Sequence, residues 1–491
     1  MSKALRSSRT GGVLGTVGFA VTDAIGRLLL LSGATVLLSR LVTANDFGIS
    51  AIILAIASAA SLMVGAPFED VLTQKKVLRR DLLRAVWGVG LLVSLAMILA
   101  STMLGTILAN VYSQPEIAVM LPVTVASIVF VGHGDLVTAR ARRLHRFNLL
   151  AAVGLVSHLI AVPVAVFAAY QGAGAWSLIL LRLVTVVVRS IWLQFSIGFP
   201  LLPQFSLRHL AEIRRYATVS MLDKLTDNLT YLMFNNVIAL FFGLTALGYV
   251  NMAMRLVEPI RGAVLATLHN LSFAHFRRTV GREDLVEARD MLIRTLAFVF
   301  SAVFAGLAAV IPVLMPLATG PGWEVSVPIG AALAIGAAFL LPAQPVYTSL
   351  MAAGRPEYSL FGNFAKLLVT TLVLISLRHS DPQSIGLARL AGDLFQTFFV
   401  LLVPLRGMNW APIRRVALLL PAWLTSGFMA SIVTGALLVF AGAPDIAAVS
   451  LAILIGITTQ VVLMALFSRS VLTGILDLFR HKPSTAGEPV R

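Results

Sequence analysis

Residues Tyr216–Val250 read YATVSMLDKLTDNLTYLMFNNVIALFFGLTALGYV. The stretch is apolar and long enough to cross a bilayer as a helix, which takes about 20 residues. Yet Asp223, Lys224, Asp227 and Asn228 stand where lipid tails would surround it. A charged side chain near the bilayer centre costs at least ~2.5–3.5 kcal/mol. Such groups face a bundle interior or a watery cavity, so this span belongs to a multi-helix assembly. Two uses are open to them: an internal ion pair that holds helices together, or the lining of a pathway.

The rest of the chain fits that assembly. It has 491 residues, 58% of them hydrophobic and 12% charged, with a mean hydropathy of +0.90. A soluble chain carries about 25% charged residues. Apolar runs recur at 13–39, 49–67, 85–108, 117–137, 149–170, 175–195, 216–241, 246–272, 295–318, 325–350, 359–377, 384–404, 416–441 and 445–468. The expected fold class is therefore all-α, a polytopic membrane protein of about 14 transmembrane helices. The alternation of barrel strands is absent. The lack of cysteine excludes disulfides, thiolate metal sites and Cys nucleophiles. The basic start (Lys3, Arg6, Arg9) leads into a long apolar run without a small-residue cleavage site, so it reads as a retained first span.

The net charge of +16 is explained by where the charges fall. Alternate loops, beginning with the N-terminus, carry nearly all the loop lysines and arginines, and the other set holds only Arg40 and Arg378. By the positive-inside rule both termini are cytoplasmic. Attraction to anionic headgroups uses the same charges. Nucleic-acid binding would need a basic surface with interleaved aromatics, and no loop is large enough to supply one.

Segment 196–215 divides the chain. Pro200 and Pro203 break the preceding span and Ser206 is placed to cap a short helix. Leu207, Leu210 and Ile213 then alternate with Arg208, Arg214 and Arg215, the pattern of an amphipathic linker on the membrane surface. Asp23 lies 200 residues before Asp223, and Phe47-Gly48 lies 200 before Leu247-Gly248, which points to an internal duplication. The expected organisation is an N-lobe of six spans (1–195), the linker (196–215), a C-lobe of six (216–404), two further spans (405–468) and a cytoplasmic tail (469–491). Six spans per repeat preserve orientation, so the lobes are parallel. The charged segment Phe276–Arg294 reads as a solvated helix, and the tail HKPSTAGEPVR as disordered.

Charges inside spans are the candidate functional set. The cations are Arg27, Arg182, Arg189, Lys224, Arg255, Arg261, Lys366 and Arg389; the acids are Asp23, Asp223, Asp227, Glu258 and Asp393. Asp23/Arg27 and Arg389/Asp393 are four apart and can neutralise each other on one helix face. Lys366 and Arg189 lie near span ends and are expected to snorkel to the headgroups. The surplus of cations suits an anionic ligand such as a phosphate or pyrophosphate, and Arg offers it a fork that resists deprotonation. The carboxylates suit coupling to H⁺ or Na⁺; no other cofactor and no metal site is expected. Pro342, Gln344, Pro345 and Tyr347 mark a bend in span ten, hinge or static kink. His158 reads as the one histidine clearly within a span, a satisfied core residue. No Walker loop, GxSxG elbow, HExxH or dinucleotide fingerprint occurs, so the chain does not read as an enzyme.

Four short motifs carry a resemblance. LVTANDFG (Leu41–Gly48), GAGAWSL (Gly172–Leu178), FGLTALGYVNMA (Phe242–Ala253) and AAGRP (Ala352–Pro356) are similar to turns of Wzx-type polysaccharide flippases, within the multidrug/oligosaccharidyl-lipid/polysaccharide exporter superfamily. In the first motif Ala44 replaces the usual proline. The resemblance implies a 6 + 6 bundle with a central cavity, two trailing helices and alternating access in the bacterial cytoplasmic membrane. It implies a cargo of undecaprenyl-pyrophosphate-linked oligosaccharide for O-antigen, capsule or exopolysaccharide, with ion-coupled antiport. Polymerase or export proteins and membrane lipids are the implied partners. By span and depth, Arg27, Lys224, Arg255, Arg261, Arg182 and Arg389 would meet the cargo, and Asp23, Asp223, Asp227, Glu258 and Asp393 the coupling ion. A drug/cation antiporter would favour an acidic cavity, whereas a peptidoglycan lipid precursor flippase would also favour a basic one. A glycan polymerase would need a large outward loop, which the spans do not leave.

Overall fold

A computed structural model of the chain describes residues 30–65, 79–200, 202–204, 214–279, 286–352, 357–403, 411–440 and 445–467, with a few isolated positions between them. Side chains are described within these ranges except at 214–227, 229–230, 266–279, 286–289, 352 and 445. The linker helix expected after Ser206 and the C-terminal tail lie outside the described residues.

The main helices are α1 (Leu30–Ser39), α2 (Ala44–Leu62), α3 (Arg80–Val111), α4 (Ile117–Ala126), α5 (Ile128–Arg143), α6 (Phe147–Tyr170), α7 (Ala175–Ile197), α8 (Arg214–Thr279), α9 (Val286–Thr319), α10 (Ser326–Ala352), α11 (Glu357–Ser376), α12 (Ile385–Leu402), α13 (Pro412–Val439) and α14 (Asp445–Phe467). No strand occurs among the described residues. Twelve stretches of the described chain are long and apolar enough to cross a membrane. They follow the sequence spans closely. Helices α4 and α5 form one crossing, and α1 is the described part of the first span. The crossing Tyr231–Leu265 covers what the sequence divides into two. The division survives as a kink at Gly243, whose φ of 85° only glycine adopts without strain. Helix surfaces remain apolar outward, with Leu99, Phe167, Phe195 and Leu424 exposed, as a lipid-facing surface requires.

The chain forms two compact units, Met1–Asn251 and Met252–Arg491, parted within α8. In the first, α2 packs on α4, α5 and α7, while α6 packs on α7 and α3 on α4. Val86, Trp87, Val137, Val153 and Leu193 fill its core. The start of α2 is fixed by a capping box: Thr43 Oγ1 accepts from the Asp46 N–H, and the Thr43 N–H donates to the Asp46 carboxylate, both at 3.3 Å. Gly174, at the mouth of α7, lies against the same carboxylate; a Cβ there would stand 2.9 Å from Asp46 Oδ1.

Beside this turn, α2 and α8 meet backbone to backbone. A Cβ on Gly48 would strike the Leu244 carbonyl, and a Cβ on Gly248 would strike the Ala44 carbonyl. Under the 200-residue offset, residue 44 maps to 244 and 48 to 248, so the contact is symmetric under that offset. Three of the four motifs quoted above therefore converge on one helix crossing.

In the second unit α9 packs on α10, α13 and α14, and α12 lies between α10 and α11. Phe298, Val346, Leu401 and Leu419 form one core cluster, and Val310, Met429, Val433 and Ala452 another. Helix α10 runs through Pro342 and Pro345, and the Tyr347 hydroxyl donates to the Gln396 carbonyl at 2.9 Å, tying α10 to α12. The helix expected to be solvated at 276–294 is corrected at Asp290. That residue is buried and pairs with Arg414 at 2.7 Å, because α13 begins alongside it. Arg415 is fully buried, and its guanidinium donates to the carbonyls of Val400 and Val403, which the end of α12 leaves open.

Candidate functional site

Among the described residues of the second unit, an enclosed charge cluster is built on α12. Asp393 has no solvent exposure and its carboxylate pairs with Lys366 Nζ of α11. Small residues make the room. A Cβ at Gly336 on α10 would come within 2.6 Å of the Asp393 carboxylate. A Cβ at Gly392 would strike Thr370 Oγ1 and lie 3.1 Å from the Lys366 carbonyl. Close helix approach through small residues is how membrane bundles gain packing energy without a hydrophobic drive.

Two further cations bear on the pair. Arg389, one turn earlier on α12, and Arg261 of α8 are near enough for their charges to act on both Asp393 and Lys366. Arg261 Nη1 also lies 3.4 Å from Glu258 Oε1, a residue three positions earlier. The cluster thus sets three cations against two acids. Its polar layer continues through Gln396, which donates to Asn363 at 2.6 Å, and Thr370 Oγ1 is buried without a hydrogen-bond partner. Taking such ions out of water costs several kcal/mol each and is offset only by their partners. Among these named charges the cations outnumber the acids by one, a balance that favours an anion.

Several expectations are corrected here. Lys366 does not snorkel: it is 7% exposed and held by Asp393. The direct partner of Asp393 is Lys366 rather than Arg389, because the α11 stem reaches across a gap opened by Gly392. Arg189 is held inside its bundle, where Nη2 donates to Thr138 Oγ1 of α5 at 3.1 Å. His158 is bonded to its own helix at the Gly154 carbonyl, 2.8 Å away, but a second histidine lies deeper. His133 is 6% exposed, with Nδ1 2.8 Å from Ser190 Oγ and Nε2 3.0 Å from Gln194 Oε1. These three side chains and Trp87 line a cavity of about 290 Å³ in the first unit.

Of the remaining candidates, Arg182 donates to Ser58 Oγ of α2 at 3.3 Å, and Arg255 is half-buried on α8, six residues before Arg261. The side chains of Asp23, Arg27, Asp223, Lys224 and Asp227 lie outside the described residues. Further along α8, the buried Asn235 amide and Asn228 Oδ1 find no hydrogen-bond partner among the described residues. Buried polar atoms without partners mark places where water or a ligand is accommodated.

The protein family described as "Polysaccharide biosynthesis protein" matches residues 37–328. The succinoglycan biosynthesis transport protein ExoT of Rhizobium meliloti is 22% identical over 356 residues, 72% of each chain. The lipopolysaccharide biosynthesis protein WzxC of Escherichia coli is 23% identical over 414 residues, 80% of this chain and 82% of that one. Among solved structures, the lipid II flippase MurJ in an inward closed conformation aligns with a TM-score of 0.70 at 14% identity, covering 93% of this chain and all of that one. An inward-facing multidrug resistance transporter of the MATE family aligns at 0.58 and 15% identity, over 80% of this chain and 95% of that one. The structural likenesses show a shared fold.

Proposed function

Since the chain belongs to the polysaccharide biosynthesis protein family, we propose that it carries a lipid-linked oligosaccharide across the bacterial cytoplasmic membrane by alternating access. Family membership over residues 37–328 is the observation that carries this reading. The cationic surplus around Asp393 supports it, because an undecaprenyl-pyrophosphate link is anionic and must be sheltered between leaflets. Arg261 and Arg389, with Arg255 and Arg182, are the proposed contacts to cargo, together with Arg27 and Lys224. Asp393 and Glu258, with Asp23, Asp223 and Asp227, are the proposed carriers of H⁺ or Na⁺ in antiport. Two parallel six-span lobes, with both termini cytoplasmic, are the proposed frame. The exported unit would pass to polymerase and export proteins.

Flipping of a fluorescent undecaprenyl-pyrophosphate glycan in proteoliposomes tests the reading, run beside lipid II as competing cargo. Wild-type flipping of the glycan that falls at least tenfold in Arg261→Gln/Arg389→Gln, with the variant still folded, supports it. Transport of lipid II in preference to the glycan would replace the cargo. Transport of neither, with export of an organic cation, would replace the function.

A further inference from the structure

A second basic site belongs to the first unit, whereas the Asp393 cluster belongs to the second. Arg80 and Arg84 sit one turn apart at the start of α3, and Arg140 lies in the last turn of α5. With Gly198, Phe199 and Pro200 they line a cavity of about 470 Å³. The wall is held in place: Arg140 Nη1 donates to the Gly198 carbonyl at 2.6 Å, and the Gln204 N–H to the Arg84 carbonyl at 3.1 Å. Gly198 turns the chain with φ 71°, which brings Phe199 over the pocket. The site is thus assembled from three helix ends.

Among the described residues its lining is basic without an acid, and Asp81 of the same turn is exposed outside it. No acid lines the cavity, and among the described residues neither Arg80 nor Arg84 is in an ion pair. Arg84 Nε is buried and has no hydrogen-bond partner. The nearby basic side chain of Arg142 is already neutralised by Glu69 at 2.8 Å. Helix polarity makes the arrangement costlier still. Cations are favoured at a helix C-terminus, yet Arg80 and Arg84 stand at an N-terminus whose cap residue, Arg79, supplies no side-chain acceptor and whose single first-turn acid, Asp81, lies outside the cavity lining. Three guanidiniums around a cavity at a helix start are destabilising while it is empty and complementary to an oxyanion when it is filled.

We propose that this pocket binds a phosphate group, supplied by the headgroup of an anionic membrane lipid. The source follows from depth: α3 enters its membrane span directly from Arg80, so the pocket opens at the level of the headgroups. Basic pockets between membrane helices recognise anionic headgroups through this chemistry. Phe199 and Pro200 give the apolar wall that a glycerol backbone packs against. The proposal stands on the first unit's own residues and does not require the transport reading.

Full-length protein in zwitterionic detergent, titrated with phosphatidylglycerol, phosphatidylcholine or inorganic phosphate and read by native mass spectrometry and melting temperature, tests it. Wild type should retain phosphatidylglycerol in preference to phosphatidylcholine and melt higher when it is bound. Each arginine near an anionic lipid surface contributes about a fivefold factor, so Arg80→Gln/Arg84→Gln should weaken retention roughly 25-fold. Arg80→Lys/Arg84→Lys keeps the charge without the fork and should fall between them. Arg146→Gln, outside the pocket, should match wild type. The double glutamine variant, relieved of mutual repulsion, should melt no lower than wild type without lipid. Stabilisation by inorganic phosphate alone, lost in the double variant and without lipid preference, would keep the phosphate site and overturn its lipid source. Equal retention of both lipids by wild type and variant, with no effect of phosphate, would overturn the site.

Discussion

Two regions bring helices into unusually close contact through glycine, and they differ in what the glycine is for. At Gly48 and Gly248 it lets α2 and α8 touch backbone to backbone. At Gly336 and Gly392 it makes room for the Asp393 carboxylate and the Thr370 hydroxyl, within a cluster of charges. The first contact is intolerant of any side chain but has no chemistry. The second has chemistry, and its nearest neighbours are side-chain ends, the Asp393 carboxylate and the Thr370 hydroxyl, with the Lys366 carbonyl next at 3.1 Å. The first kind of contact serves a scaffold, and the second is the kind the proposed transport site would need. The comparison predicts opposite responses to substitution.

The largest effect belongs to the backbone contact. Gly248→Val should abolish folded protein, measured as a monodisperse peak by fluorescence-detected size exclusion, because the Ala44 carbonyl has nowhere to go. Gly48→Val should do the same against Leu244, since the two positions correspond under the 200-residue offset. Tolerance of either one would separate the two halves of the crossing and argue against duplication as its origin.

Next comes the ion pair. Asp393→Asn leaves Lys366 buried without a counter-charge and should cost about 3–5 kcal/mol, visible as a large fall in melting temperature. Adding Lys366→Met removes the orphaned charge and should restore most of that loss, since an apolar replacement of a buried pair is often neutral. Glycan flipping by the double variant then decides what the pair is for. Restored stability without transport makes the cluster part of the mechanism, whereas restored stability with normal transport makes it packing.

Arg415 gives an intermediate case. It carries charge but does what a structural group does, closing the carbonyl end of α12 at Val400 and Val403. Arg415→Met should lower stability by about 1.5–3 kcal/mol, the range for hydrogen bonds from a charged donor. Transport per folded molecule should be unchanged.

These cases explain what the sequence disclosed. Apolar run length and the side of each basic loop are local properties, so nearly every span was legible in the sequence. The motifs around Phe47-Gly48 and Leu247-Gly248 were legible because a backbone contact fixes residue identity at both ends. The pairing of Lys366 with Asp393 was hidden, since the two lie on separate helices and a helix-local partner, Arg389, stood four residues from the acid. Arg415 and Asp290 were hidden for a related reason: in a loop dense with charge, nothing local marks the one that turns inward. His133 was overlooked although its span was correctly placed, because its partners Ser190 and Gln194 come from α7.

The smallest effect lies back at the motif-rich crossing and tests whether all of that region is as intolerant as its glycines. Thr43 and Asp46 cap α2 reciprocally, but both bonds are at the exposed helix mouth, where water competes for the same groups. Thr43→Ala should therefore cost only about 1 kcal/mol, the usual worth of a helix cap, and leave expression intact. Gly174→Ala acts on the same carboxylate from the other side. Its Cβ would crowd Asp46 Oδ1, and its φ of 51° disfavours any side chain, so it should cost more than Thr43→Ala. That order, read from paired melting curves, would confirm that close approach rather than capping makes these turns recognisable. The reverse order would mean that α2 depends on its cap, and that the glycine at 174 is there for the turn alone.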